Sequence, residues 1–218
     1  MRLKDKIEIP KYTLGEEIMS SVSHGVGALL SVAALVLCII FSAINGTWVS
    51  VVSSCIYGVT LIILYTMSTL YHSLKVNNAK RVFRIIDHCS IYLLIAGTYT
   101  PYTLLVLPKN VGIPMFIIIW SITILGIVLN AIDLKKYKVI SFISYLILGW
   151  LVIFAFKPLM NNLETGGFIL LLAGGISYTL GAVFYGFGRK VKYMHSIFHL
   201  FVLAGSILQF FSILLYVI

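Results

Sequence analysis

Two histidines, His195 and His199, stand four residues apart in Tyr193-Met194-His195-Ser196-Ile197-Phe198-His199. At that spacing they share one face of a helix, one turn apart, about 6 Å along its axis. The chain beyond them to Ile218 is almost wholly apolar, so the pair opens a segment of membrane length. Polar side chains at membrane depth mark a function by default. Two imidazoles one turn apart suit a tetrahedral metal such as zinc, or a proton site. The plain alternative is a pair of interfacial histidines bonded to water.

Other residues can meet them. His72 follows Ser68 by four, again on one helical face, and can supply a third nitrogen. A lone histidine at a helix end is more often a snorkelling residue, but three imidazoles at one depth favour a metal. Three histidines with an open fourth position make a catalytic site rather than a closed structural one. Asp87 is the sharpest carboxylate: it would hold or deprotonate a water on the metal, or merely cap its helix. Ser68 would bond that water or a substrate carbonyl, against the strong alternative of bonding the backbone four residues back. His24 is a fourth ligand or, as favoured here, a residue behind the ligands bonded to Glu17. His88 is expected to point about 100° away from Asp87. Cys89 is a soft but weak candidate.

These residues must be positioned by helices. The chain has 218 residues, 60% of them hydrophobic and only 11% charged, where a soluble domain carries about 25%. This is an all-α, polytopic membrane protein. The net charge of +9 belongs to loops beside membrane helices, not to a nucleic-acid partner. Cys38, Cys55 and Cys89 include no CxxC pair and read as small core residues. No nucleotide-binding loop is present.

Residues 1–17 form a polar cytoplasmic or interfacial arm; 18–218 form the membrane domain. Its apolar runs are 18–43, 48–74, 85–107, 113–132, 139–156, 167–188 and 193–217, each near the ~20 residues needed to span. The first is too long for a signal-peptide core. Turns are expected at Asn45-Gly46, Pro108-Lys109-Asn110 and Asn161-Asn162. Seven transmembrane helices follow. Of the 16 lysines and arginines, 14 fall on one side: Arg2, Lys4, Lys6 and Lys11, then Lys75, Lys80, Arg81 and Arg84, then Lys135, Lys136 and Lys138, then Arg189, Lys190 and Lys192. Only Lys109 and Lys157 lie opposite. The positive-inside rule therefore puts the N-terminus in the cytoplasm and the C-terminus outside. All five histidines, with Glu16, Glu17 and Asp87, then gather at the cytoplasmic ends of the first, second, third and seventh helices.

Other features read as structure. Gly174, Gly181 and Gly188 recur every seven residues as a close-packing stripe. Gly97 and Pro101 should kink the third helix, with nearby threonines satisfying freed carbonyls. Trp48, Trp120 and Trp150 suit interfacial belts or packing.

On these residues the chain resembles the hemolysin III family, grouped with the progestin and adipoQ receptors and more distantly with alkaline ceramidases. The matching stretches are Glu17 with His24-Gly25; Ser68-Thr69-Leu70-Tyr71-His72; Asp87-His88-Cys89-Ser90-Ile91-Tyr92 running into Ala96-Gly97-Thr98-Tyr99-Thr100-Pro101; and His195-Ser196-Ile197-Phe198-His199. The resemblance implies seven helices with the N-terminus inside, and zinc on His72, His195 and His199. It also implies that Asp87 contacts zinc through water, with Ser68 nearby. One departure is Ser20, where the family often has Asn.

The leading expectation is a zinc-dependent hydrolase-like protein acting on membrane-lipid amides or esters, with Asp87 as base and a role in membrane-lipid homeostasis. A non-enzymatic lipid sensor with structural zinc is the alternative. A secreted pore-forming hemolysin fits poorly, because seven apolar helices have no soluble form. A transporter lacks a charged residue at the bilayer centre. The expected location is the plasma membrane, and the isoleucine-, lysine- and asparagine-rich usage suits a low-GC bacterium.

Overall fold

The computed structural model describes residues 7–188 and 191–218. The expected cytoplasmic charges Arg2, Lys4, Lys6, Arg189 and Lys190 lie outside the described residues. Among the described residues the structure is all helical: α1 Leu14–Asn45, α2 Trp48–Ser73, α3 Asn78–Pro101, α4 Lys109–Trp150, α5 Phe156–Asn162, α6 Thr165–Phe187 and α7 Met194–Tyr216. Six helical stretches are long and apolar enough to cross a membrane, the fourth running from Lys109 to Asn162.

The expected connection at 133–138 is not a loop. Lys135, Lys136 and Lys138 are helical, and the break is Asp133 alone, whose φ of −160° and ψ of 93° leave the helical region. Its carboxylate accepts from the Lys136 backbone N–H at 3.0 Å, the contact of a helix N-cap. One residue thus ends one helical segment and caps the next, so no separate linker is needed. The chain folds back there. Asn130 Oδ1 accepts from Ser141 Oγ at 2.5 Å, and its amide donates to Tyr145 OH at 3.2 Å. Residues 130 and 141 would sit about 16 Å apart on a straight helix.

Other expected boundaries move slightly. Pro108 precedes the first residue of α4, so the expected turn there is mostly helix. Past Gly97 and Pro101, α3 runs on into one π-helical turn, Tyr102–Val106. Proline cannot donate to the carbonyl four residues back, and a π turn absorbs the mismatch. Thr98, Thr100 and Thr103 hydroxyls bond carbonyls of Leu94, Ala96 and Tyr99 at 2.8, 2.8 and 3.0 Å, not the Gly97 carbonyl that Pro101 frees. Gly97 has a further reason to be glycine: a Cβ there would overlap the Thr60 side chain of α2.

The bundle is built on close contacts of α1 with α2 and α7, α2 with α3, and α6 with α7. The glycine stripe faces α7: Gly174 lies against Gln209, Gly181 against Phe201, and Gly188, just past α6, against His195. Trp120 and Trp150 pack inward, donating to Thr100 and Thr179, while Trp48 is exposed at the start of α2. The second half of α4 meets α6 through side chains, Phe142 stacking on Tyr185 and Trp150 donating to Thr179, and the space between α3, α4, α6 and α7 is a cavity.

Candidate metal centre

The start of α7 is held in an unusual way. Tyr193, before its first turn, has φ 64°, a left-handed conformation that costs a non-glycine residue energy and needs support. Glu16 supplies that support. Its Oε2 closes a capping box on Thr13 at the start of α1, and its Oε1 accepts the Tyr193 N–H at 2.8 Å. Ser196 Oγ donates to the Glu16 carbonyl at 3.1 Å and lies 3.0 Å from Ser20 Oγ. Ser20, the departure from the family pattern, therefore joins α1 to α7 beside His195. These bonds set the register in which His195 and His199 enter the bundle.

His72 comes from the end of α2 to meet them. His195 Nε2 lies 3.4 Å from His72 Nε2 and 3.1 Å from His199 Nε2. All three residues are buried, and one ligand atom of each falls within 4.8 Å of the others. The donor set fits a metal. Tetrahedral bonds of about 2.0–2.1 Å put neighbouring nitrogens about 3.3 Å apart, close to both measured separations. The fit is strengthened behind His72: its Nδ1 bonds Glu17 Oε2 at 2.7 Å, which turns Nε2 toward the cluster as carboxylates do behind metal-ligating histidines. Among the described residues no carboxylate stands behind His195 Nδ1 or His199 Nδ1 in this way.

The expected pairing of Glu17 with His24 is therefore corrected. Glu17 serves His72, and its other oxygen takes Lys80 Nζ at 2.6 Å. His24 lies instead against the His199 ring, centroids 3.8 Å apart. It contacts the ligand set through a ring, not through a carboxylate. The spacing argument failed because α1 and α2 cross so that Glu17 reaches across to α2.

Asp87 stands outside the three-histidine group but lines the same cavity as His24, Ser68, His195 and His199. Ser68 is within hydrogen-bonding reach of its carboxylate. His88 does not point away from it as expected: its Nδ1 is 3.5 Å from Asp87 Oδ2, because the ring folds back along α3 to the Arg84 carbonyl at 3.0 Å. Cys89 turns aside to the Ile127 carbonyl.

Two participants, Lys80 and Tyr12, escaped the sequence reading, and a third, Glu16, was placed at the right level but given no role. Lys80, read as a loop charge, is 2% exposed and bonded to Glu17 and to the Leu74 carbonyl. Tyr12 stacks on His195 with ring centroids 4.7 Å apart. Glu16 left one signal, the Thr13-x-x-Glu16 pattern of a capping box. Nothing local marks the other two.

The cavity beside the histidines has a volume of about 530 Å³. One end is polar, at the histidines, Asp87 and Ser68. The body is apolar, with Leu94, Ile95, Phe168, Leu171 and Val202 among its walls, and reaches Gln209. Along α7, His199 and Gln209 are separated by about 15 Å of helix, enough for an extended acyl chain.

Comparison with known proteins agrees with the motifs. The family pattern described as Haemolysin-III related matches residues 12–210. "Hemolysin-3" of Bacillus cereus is 45% identical over 203 residues, covering 93% of this chain and 92% of that protein. "Hemolysin-3 homolog" of Bacillus subtilis (strain 168) is 44% identical over 205 residues, covering 94% and 96%. The human "Monocyte to macrophage differentiation factor" is 30% identical over 167 residues, covering 74% and 69%. No solved structure matches.

Proposed function

The chain belongs to the haemolysin-III-related family, and on that premise we propose that it is a zinc-dependent hydrolase-like protein acting on amide or ester bonds of membrane lipids, in a bacterial plasma membrane. The observation that carries this reading is the convergence of three imidazole Nε2 atoms at the polar end of a long apolar cavity.

We propose seven spans, N-terminus inside and C-terminus outside. Two observations support them. The Lys109–Asn162 stretch folds back at Asp133, and 14 of 16 basic residues gather on one side of the resulting alternation. His72, His195 and His199 would hold the ion, with Glu17 orienting His72. Zinc, when bound, supplies Lewis-acid polarisation of the scissile carbonyl. The protein's own groups do the rest. The apolar cavity aligns the acyl chain so that its carbonyl lies at the polar end. Asp87 takes a proton from the attacking water and passes it to the leaving amine or alcohol, which balances the hydrolysis. Ser68 orients the Asp87 carboxylate, and Tyr12 covers His195. Acyl chains enter laterally between α4 and α6, whose backbones approach closely at few points.

One observation favours a sensor with structural zinc instead: Asp87 is not among the close ligand atoms and already faces His88 at 3.5 Å. The test is a hydrolysis screen of lipid amides and esters with zinc-replete protein, beside Asp87→Asn. Product formed by wild type and lost in the variant, with zinc retained, supports the hydrolase. Lipid binding without product in both assigns the sensor.

A further inference from the structure

A second cavity, of about 200 Å³, adjoins the first and shares Asp87, His88 and His195 with it. Its wall includes Arg84, one turn before Asp87 on α3. Arg84 is 5% exposed, and its Nε is buried with no hydrogen-bond partner among the described residues. Among the described residues no carboxylate lies within ion-pair distance of it. Buried cations are almost always paired, because desolvating an unpaired charge is costly. Lys80, one turn earlier on the same helix and equally buried, obeys this rule through Glu17. Arg84 lacks such a counter-ion. Asp87 lies on the same wall but does not supply it, its carboxylate being directed to His88.

We infer that Arg84 forms a phosphate-binding subsite in the second cavity, and that the lipid taken by this protein is a phospholipid. The guanidinium fork matches the oxygens of a phosphate with two parallel, charge-assisted bonds. Lys138 and His88 line the same wall. The two cavities meet at Asp87 and His195, one apolar and long, the other small and basic. A phospholipid places its acyl chain in the first and its phosphate in the second, with the ester carbonyl at the junction. This assignment deepens the proposed lipid hydrolysis and rests on that reading for the carbonyl's position. The phosphate subsite itself rests on Arg84.

The test compares matched probes on the purified full chain: dioctanoylphosphatidylglycerol and dioctanoylglycerol, which share acyl chains and differ in the phosphate headgroup. Binding is measured by titration calorimetry in detergent, for wild type, Arg84→Gln, Arg84→Lys and His195→Ala. A charge-assisted bond predicts a preference for the phosphate probe of roughly ten-fold or more in wild type. Arg84→Gln abolishes the preference and leaves dioctanoylglycerol binding unchanged; Arg84→Lys keeps part of it. Equal affinities in wild type, or an undiminished preference in Arg84→Gln, overturn the proposal. Should Arg84→Gln fail to fold, the wild-type probe pair and Arg84→Lys decide it. Inorganic phosphate is titrated separately: Arg84-dependent binding of it, with no advantage for the phospholipid, assigns the site to free phosphate and overturns the headgroup. The two readings fail separately. A phosphate preference in zinc-replete wild type that hydrolyses neither probe, nor any other lipid ester or amide, sinks the hydrolase alone; the same preference in His195→Ala shows that the subsite does not need the metal. Hydrolysis of neutral lipids without a phosphate preference sinks the subsite alone.

Discussion

Replacing Glu17 by glutamine tests the arrangement behind His72 most directly. Glu17 Oε2 faces His72 Nδ1 at 2.7 Å and Oε1 faces Lys80 Nζ at 2.6 Å. Both partners are donors, so the side chain must accept twice. Glutamine accepts once and presents an N–H₂ to the other donor. Either His72 loses the bond that turns its Nε2 toward His195 and His199, or Lys80 is left charged and buried. Loss of such a partner lowers metal affinity about 10- to 100-fold, roughly 1.4–2.8 kcal/mol. An unpaired buried charge adds a separate destabilisation of about 3–5 kcal/mol at full burial; the Glu17 side chain is 17% exposed, so about 1–3 kcal/mol is expected. The two effects can be separated. Adding Lys80→Met to Glu17→Gln removes the stranded charge and should restore much of the stability; it also frees the glutamine oxygen for His72 Nδ1, so zinc affinity should recover only in part, a neutral acceptor being weaker than a carboxylate. The assays are zinc retention against a graded chelator, read by mass spectrometry, and thermal unfolding in detergent of metal-free protein. A Glu17→Gln protein that holds zinc as tightly as wild type would refute the role of this carboxylate.

Further expectations follow from the same geometry. Wild type should carry about one zinc per chain, and His72→Ala, His195→Ala and His199→Ala should each lose it while remaining folded, since three nitrogens are needed to hold the ion; metal analysis of the purified proteins checks this. Gly97→Ala should destabilise by about 1–3 kcal/mol through overlap with Thr60, and Thr60→Ala in the same chain should recover part of the loss on thermal unfolding. Asp133→Ala removes an N-cap and should cost about 1 kcal/mol, whereas Asp133→Asn or Asp133→Ser should cost less; unfolding midpoints of the three variants decide whether the residue caps the second half of α4.

Much of the site was readable along the chain. The four-residue spacing of His195 and His199 places both on one face of α7, and the depth of His72 puts it at the same level. Asp87 and Ser68 do line the cavity with them. The apolar runs predict most helix limits within a few residues, and the seven-residue glycine spacing on α6 does face α7. A break after residue 132 was expected, but as a loop over 133–138 rather than as Asp133 alone, because a run of lysines resembles a loop whereas one capping side chain suffices to reverse the chain.

Local spacing was enough wherever a property depends on one helix: which side chains share a face, how long a segment is, and where basic residues collect. It could not decide what each face meets. Glu17 reaches His72 across 55 residues and Lys80 across 63, and Glu16 holds Tyr193 across 177. Tyr12 reaches His195 from outside any helix. These partners are chosen by the crossing of packed helices, which depends on many side chains at once and leaves no periodic trace in the chain. Arg84 illustrates the same limit. Its charge is plain in the sequence, but only the packed bundle buries it at a cavity wall without a counter-ion.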